Sequence, residues 1–219
     1  MRKSIFFIIM LLILLNSVTI CQQYHYKGVK LEKLTSNNEE YETTTLGAGC
    51  FWCVEAVYQH LDGVISITSG YSGGTTQKPT YEEVCTGKTG HAEVIQVVFD
   101  TTKVSFEELL EVFWKTHDPT TLNRQGSDVG TQYRSVIFYH NEKQKKLAEE
   151  YKKRLDISGA FNNPIITEIL PFKNFFKAEN YHQNYYNQNS NQPYCRFVIQ
   201  PKLEKFKKVF KNRLKKGKN

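Results

Sequence analysis

The segment from Thr80 to Trp114 constrains the fold most, because it sets a strand between two helix starts. Thr80 with Glu83 and Ser105 with Glu108 have the spacing of a capping box, in which a hydroxyl accepts from a backbone N–H and a carboxylate reaches back. The first box predicts a short helix ended by Gly87; the second predicts a longer one with Phe106, Leu109, Leu110, Phe113 and Trp114 on its apolar face. Between them, residues 91 to 99 read His-Ala-Glu-Val-Ile-Gln-Val-Val-Phe, a strand. Period-two alternation puts Glu93 on the face of Ile95, Val97 and Phe99. A carboxylic acid therefore points with the apolar set. Burial there disfavours its ionised form and suits it to act as a general acid near neutrality; at a frayed strand end it would instead reach water, and periodicity alone leaves both readings open.

The same reading extends along the chain. Thr43 to Leu46 is a short strand, and Gly47 and Gly49 lead into a helix with Val54, Ala56, Val57 and Leu61 that stops at Gly63. Val64 to Thr68 is a strand followed by a flexible loop from Gly70 to Gly74. The aperiodic segment from Thr116 to Gln132 is long enough to suggest a functional loop. Tyr133 to Tyr139 is a strand, Asn141 caps a charged helix to about Asp156, and Pro164 to Leu170 is a further strand. In the tail, Leu203, Phe206, Phe210 and Leu214 fall on one helical face. Strands alternating with helices, with some links too short for a crossover, predict an α+β two-layer domain from about residue 42 to 216.

Charge does not change that reading. The 219 residues carry a net +7, but Lys202 to Asn219 hold nine basic residues and one acid, leaving 20 basic and 21 acidic groups in the rest. The basic run reads as the solvated face of the tail helix, so no nucleic-acid or membrane-surface partner is expected.

Arg2 and Lys3 followed by eleven unbroken apolar residues, Ile5 to Leu15, read as a signal peptide spanning residues 1–22. Membrane anchoring by an uncleaved leader would need roughly 20 apolar residues. Export, to the exterior, the periplasm or a secretory lumen, would let disulfides persist. Cys50, Cys53, Cys85 and Cys195 could then be two structural bridges of a secreted binding module.

The sequence Gly49-Cys50-Phe51-Trp52-Cys53, where a strand turns into a helix, argues for chemistry instead. Free N–H groups and partial positive charge at a helix start favour thiolate, making Cys50 a candidate nucleophile, and the aromatics after it occupy positions expected to be exposed. The C-x-x-C spacing equally suits a thioredoxin-like dithiol oxidoreductase using Cys50 and Cys53, although two bulky aromatics would hinder the approach of a partner's disulfide. A zinc site of Cys50, Cys53, Cys85 and His91 fits the usual spacings only loosely.

From about Thr44 to Phe210 the chain resembles the peptide methionine sulfoxide reductase A family. The resemblance rests on seven segments in order: Gly49–Trp52, Gly70–Gly74, Pro79–Val84, Gly90–Glu93, Thr116–Thr120, Asp128–Ser135 and Ala178–Gln183. It implies a ferredoxin-like sandwich with a mixed sheet, needing no metal or organic cofactor and acting as a monomer. It also implies reduction of methionine-S-sulfoxide, free or in oxidised proteins. Cys50 would attack the sulfoxide sulfur and Glu93 would protonate its oxygen. Tyr81 and Tyr133 would bind that oxygen, Asp128 would shape the site, and Phe51 and Trp52 would cage the S-methyl group. Cys50 would be left as a sulfenic acid that a second thiol condenses to a disulfide, for reduction by a thioredoxin-like protein. Cys195 matches the family's usual resolving cysteine, and the polar stretch Asn187 to Gln192 before it would let it reach Cys50. Position 53 is Cys where the familiar motif has Gly, so Cys53 is a second candidate, and an exported enzyme would meet a reductant other than the cytosolic one.

Overall fold

The computed structural model describes residues 40–216. The leader lies outside them. Eight strands form a six-stranded and a two-stranded sheet: β1 Tyr41–Ala48, β2 Val64–Ser72, β3 Ala92–Asp100, β4 Arg124–Gln125, β5 Asp128–Val129, β6 Ser135–Tyr139, β7 Glu168–Pro171 and β8 Phe176–Lys177. The helices are α1 Phe51–Tyr58, α2 Tyr81–Cys85, α3 Phe106–Thr116, α4 Glu142–Ser158, α5 Tyr185–Gln188 and α6 Gln200–Val209, with a π-helical turn at Cys195–Ile199.

The large sheet runs β7-β6-β1-β3-β2-β8. Its four inner strands are antiparallel neighbours, whereas β7 joins β6 in parallel. β1 and β2 flank β3 with α1 as their link, and β3 and β6 flank β1 with α3 as theirs. These interlocked split β-α-β units are the ferredoxin-like arrangement. Leu46, Ile95, Val97 and Phe99 on the sheet form one apolar cluster with α1, α3 and α6, and a smaller cluster of Ala92, Val94, Val136 and Phe138 lies under Phe172 and Phe175.

Both capping boxes form with both arms, and the Asn141 side chain accepts from the Gln144 N–H to start α4. Other boundaries depart from the local reading. β1 has eight residues, because Tyr41 to Leu46 pair along β3 while Thr45 to Ala48 pair with β6. α1 stops at Tyr58 rather than at Gly63. The following residues are taken by the tail: Leu61 bridges Leu214, the Asp62 N–H donates to the Arg213 carbonyl and the Lys215 N–H to the His60 carbonyl. The expected flexible loop at Gly70 is instead the end of β2, with Gly70, Tyr71 and Ser72 paired to β3. Tyr133 belongs to a 3-10 turn, Thr131–Tyr133, and β7 begins at Glu168. The tail helix buries Leu203, Phe206 and Phe210 while Lys205, Lys207 and Lys208 face solvent.

Candidate active site

Gly49 ends β1 with φ +90, a conformation suited to glycine, and a Cβ there would lie 2.7 Å from the Gln125 side chain. The turn delivers Cys50 to the N-cap of α1, where its carbonyl accepts the Cys53 N–H at 3.1 Å and its sulfur makes no capping bond. The Phe51 N–H, free at the helix start, donates to Glu93 Oε2 at 3.0 Å. Glu93 therefore meets the first turn of α1 directly, and at 1% exposure it does not reach water. Burial pushes its pKa up to about 8, with the charges of Asp128 and Cys53 adding and the Phe51 N–H opposing.

Cys50 and Cys53 are both buried and reduced, and each acts on the titration of the other. Burial of the pair works against the thiolate that the helix start favours at Cys50. Burial, the bond to Cys53 and the nearby Glu93 charge push the Cys50 thiol well up. Cys53 is drawn down to about 7, first by the bond from Cys50 and then, against its burial, by Lys202 and Tyr194. The two thiols titrate as one unit, and the shifts belong to the pair.

Phe51 is buried at 1% exposure, not at an exposed position, with its ring 5.9 Å from Tyr71 and 5.1 Å from His182. Trp52 is half-buried; its ring stacks on Tyr185 at 3.7 Å and its Nε1–H donates to His182 Nδ1 at 3.1 Å. Burial raises the pKa of Tyr81 and of Tyr133, and the Glu93 charge acts on both. Tyr81 is anchored through its N–H to Glu179 Oε1 at 2.9 Å. Asp128 accepts from the Tyr194 hydroxyl at 2.7 Å, and that hydroxyl lies 3.7 Å from Cys53 Sγ. Cys195 is wholly buried in the π-helical turn, so it is not held on a freely adapting segment.

The structure thus gathers Cys50, Cys53, Glu93, Asp128, Tyr81 and Tyr133 from four stretches of chain into one electrostatic neighbourhood. Sequence reading passed over His182, Glu179, Tyr185 and Tyr194. Two of these stood in a segment already singled out, Ala178–Gln183, and Tyr194 adjoins Cys195; nothing local indicated that they face α1. Cys85 is exposed at the end of α2. His91 uses Nδ1 to accept from the Gly74 N–H and Nε2 to donate to the Thr76 carbonyl. Among the described residues no cluster of metal-ligating side chains forms. A cavity of about 1080 Å³ lies against Trp114, Phe161 and Phe206.

A family model described as peptide methionine sulfoxide reductase matches residues 42–214. The peptide methionine sulfoxide reductase MsrA of Saccharolobus solfataricus is 54% identical over 174 residues, covering 80% of this chain and 97% of that protein. The one from Trichodesmium erythraeum is 56% identical, covering 77% and 96%. Among solved structures, Mxr1 from Saccharomyces cerevisiae in reduced form matches with a TM-score of 0.67 at 36% identity, covering 75% of this chain and 94% of that one. Methionine sulfoxide reductase A of Corynebacterium diphtheriae gives 0.62 at 38% identity, covering 70% and 77%. A thiol pair at a helix start beside a buried carboxylic acid, on a chain matched over nearly its relatives' full length, leads to one conclusion: this chain belongs to the peptide methionine sulfoxide reductase family, as a thiol-dependent oxidoreductase of the MsrA type.

Proposed function

We propose that Cys50 is the nucleophile and Glu93 the acid in the reduction of methionine-S-sulfoxide to methionine. The observation that carries this assignment is the Phe51 N–H to Glu93 bond, which sets a buried acid with a pKa of about 8 against the turn that bears Cys50. Near neutral pH Glu93 holds its proton. In that form it places no negative charge beside the attacking sulfur and has a proton to give.

As substrate docks, Cys50 gives up its proton, its sulfur bonds to the sulfoxide sulfur and Glu93 protonates the sulfoxide oxygen. The hydroxyl then passes from the substrate sulfur to the Cys50 sulfur as the new sulfur–sulfur bond and the old S–O bond break, leaving Cys50 as a sulfenic acid and releasing methionine. Tyr81 and Tyr133 donate to the oxygen. The exposed part of Trp52, backed by Tyr185, and the buried Phe51 form the apolar wall for the S-methyl group, where sulfur gains favourable contact with aromatic rings. Asp128 holds Tyr194 over the thiols. Cys53 and Cys195 are the thiols available to resolve the sulfenic acid, and a thioredoxin-like dithiol protein restores the enzyme.

The substrates are oxidised proteins and free methionine sulfoxide, handled by a monomer that residues 1–22 direct out of the cytosol. Two experiments test this reading. Mature protein with dithiothreitol and each epimer of a methionine sulfoxide peptide yields methionine from the S form only; an inert protein would overturn this reading, and one active only on insulin disulfides would favour a dithiol oxidoreductase. For export, residues 1–22 fused to a reporter carry it into the secretory route, and retention in the cytosol overturns the assignment.

A further inference from the structure

We propose that the cavity of about 1080 Å³ beside α6 binds a small arylalkyl carboxylate, its ring against Trp114, Phe161 and Phe206 and its carboxylate bridging Lys202 and Lys205. The cavity is formed by the C-terminal end of α3, the residues after α4, and α6. Small-molecule sites are of this order of size, mostly apolar with a few placed polar groups. Here the apolar part is aromatic: Trp114, Phe206 and Phe210, all buried, line the cavity together with the half-buried Phe161. Ring faces of this kind hold a rigid aromatic body with little loss of conformational freedom.

Charge selects the other end of the ligand. Three lysines and one aspartate line the cavity. Lys115 is held by Glu111 at 2.7 Å, and Asp118 Oδ1 accepts from the Thr120 N–H at 2.9 Å and the Thr120 hydroxyl at 2.7 Å. His117 is neutral near pH 7, because burial draws its pKa down to about 4. Lys202 and Lys205 have no carboxylate partner among the described residues. Glu204, which stands between them in sequence, accepts instead from the Gln200 amide at 3.1 Å. Three residues apart on α6, the two lysines lie on one side of the helix, where one carboxylate can meet both.

Lys202 also connects the cavity to the thiols of α1. Its charge favours the Cys53 thiolate, as do Cys50 and the Tyr194 hydroxyl, while burial and the Asp128 charge oppose it. A carboxylate seated at Lys202 offsets that cation, so an occupied cavity raises the Cys53 thiol above about 7 and slows its reaction with electrophiles at neutral pH. The ligand acts through the field of one side chain and need not enter the active site. This coupling holds whichever thiol attacks the sulfoxide, so it does not rest on the roles assigned to Cys50 and Glu93.

The test titrates the full mature chain with 4-phenylbutyrate, its neutral amide and octanoate, followed by calorimetry at low salt. The acid should bind about three- to tenfold more tightly than the amide, the range that two partly exposed ion pairs supply, and more tightly than octanoate, which lacks the ring. Carrying K202Q and K205Q together, changes at a half-buried and an exposed position, should make acid and amide equal, and F161A should weaken both. Magnetic resonance contacts should place the phenyl protons against the Trp114 ring. The pH profile of Cys53 alkylation, mapped by mass spectrometry, should move upward in wild type saturated with the acid and stay fixed in the double variant. Any one of four results overturns the site: no binding at millimolar acid, equal binding of acid and amide to wild type, a preference that survives in the double variant, or an unmoved alkylation profile at saturation. Octanoate binding as tightly as 4-phenylbutyrate overturns the choice of an aromatic ligand.

Discussion

Glu93 shows how one side chain acquires its chemistry from its surroundings. The strand places it, burial raises its pKa to about 8, and the Phe51 N–H holds one oxygen without fully offsetting that rise. Glu93→Gln keeps the shape and a hydrogen-bond acceptor but has no acidic proton. Turnover should fall by about 100- to 10,000-fold, the usual contribution of general acid catalysis. The wild-type rate should decline as pH rises through about 8, where Glu93 loses its proton, and that limb should vanish from the residual activity of E93Q. Stability carries the same signature. An acid whose folded pKa lies above its unfolded value, roughly 4.3, holds a proton in the native state that the unfolded chain has lost, so stability falls between that value and about 8 and levels off above it. Denaturant midpoints across this range should slope down in wild type and less so in E93Q. The nucleophile is tested more directly: Cys50→Ser should abolish the stoichiometric burst of methionine, and a retained burst would assign the attack to another thiol.

At the scale of elements, α1 matters beyond the thiols. Glu55, buried on its inner side, accepts from the Asn184 N–H at 2.9 Å and the Tyr185 N–H at 3.3 Å. Those bonds fix the left-handed residue Asn184, φ +53, and the start of α5, which sets Tyr185 under the Trp52 ring. Glu55→Ala leaves two N–H groups without their acceptor, a loss of about 1–3 kcal/mol. It should raise KM more than it lowers kcat, because the proposed wall for the methyl group loosens while Cys50 and Glu93 keep their places. Tryptophan fluorescence should change with it, and an unaltered KM would show that the wall stands without this anchor. The capping box of α3 supports only the fold: Ser105→Ala should cost about 1 kcal/mol in denaturant unfolding with kcat unaffected.

For the whole molecule, the tail closes the core. Phe206, 2% exposed, packs with α1 and α3, and Arg213 reaches Glu111 of α3 at 2.6 Å. Phe206→Ala should destabilise by about 3–5 kcal/mol, read from thermal unfolding. The same helix carries Lys202 toward Cys53, so loosening it should also raise the Cys53 pKa above about 7. Alkylation rates across pH would show the shift. The cluster of lysines that gives the chain its net charge is therefore mostly a solvated face, with one member turned to the site.

Helix starts and strand faces were legible in the sequence because each depends on residues a few positions apart. Both capping boxes formed as their spacing required, and the alternation that put Glu93 with Ile95 and Val97 survived intact. Cys50 at a strand-to-helix turn followed from the glycines around it. The rest was decided by long-range pairing. Tyr71 left its expected loop because β3 offered a ladder partner, and α1 ended early because the tail bridged Leu61. Phe51 is buried because α1 is enclosed by the sheet, Tyr71 and His182, which no local pattern encodes. The lowered Cys53 pKa depends on Cys50, Lys202 and Tyr194 meeting at one point, and His182, Tyr185 and Tyr194 joined the site from segments more than a hundred residues downstream of Cys50. Local propensity specifies elements, but a titration state is the sum of the neighbours that tertiary packing brings together.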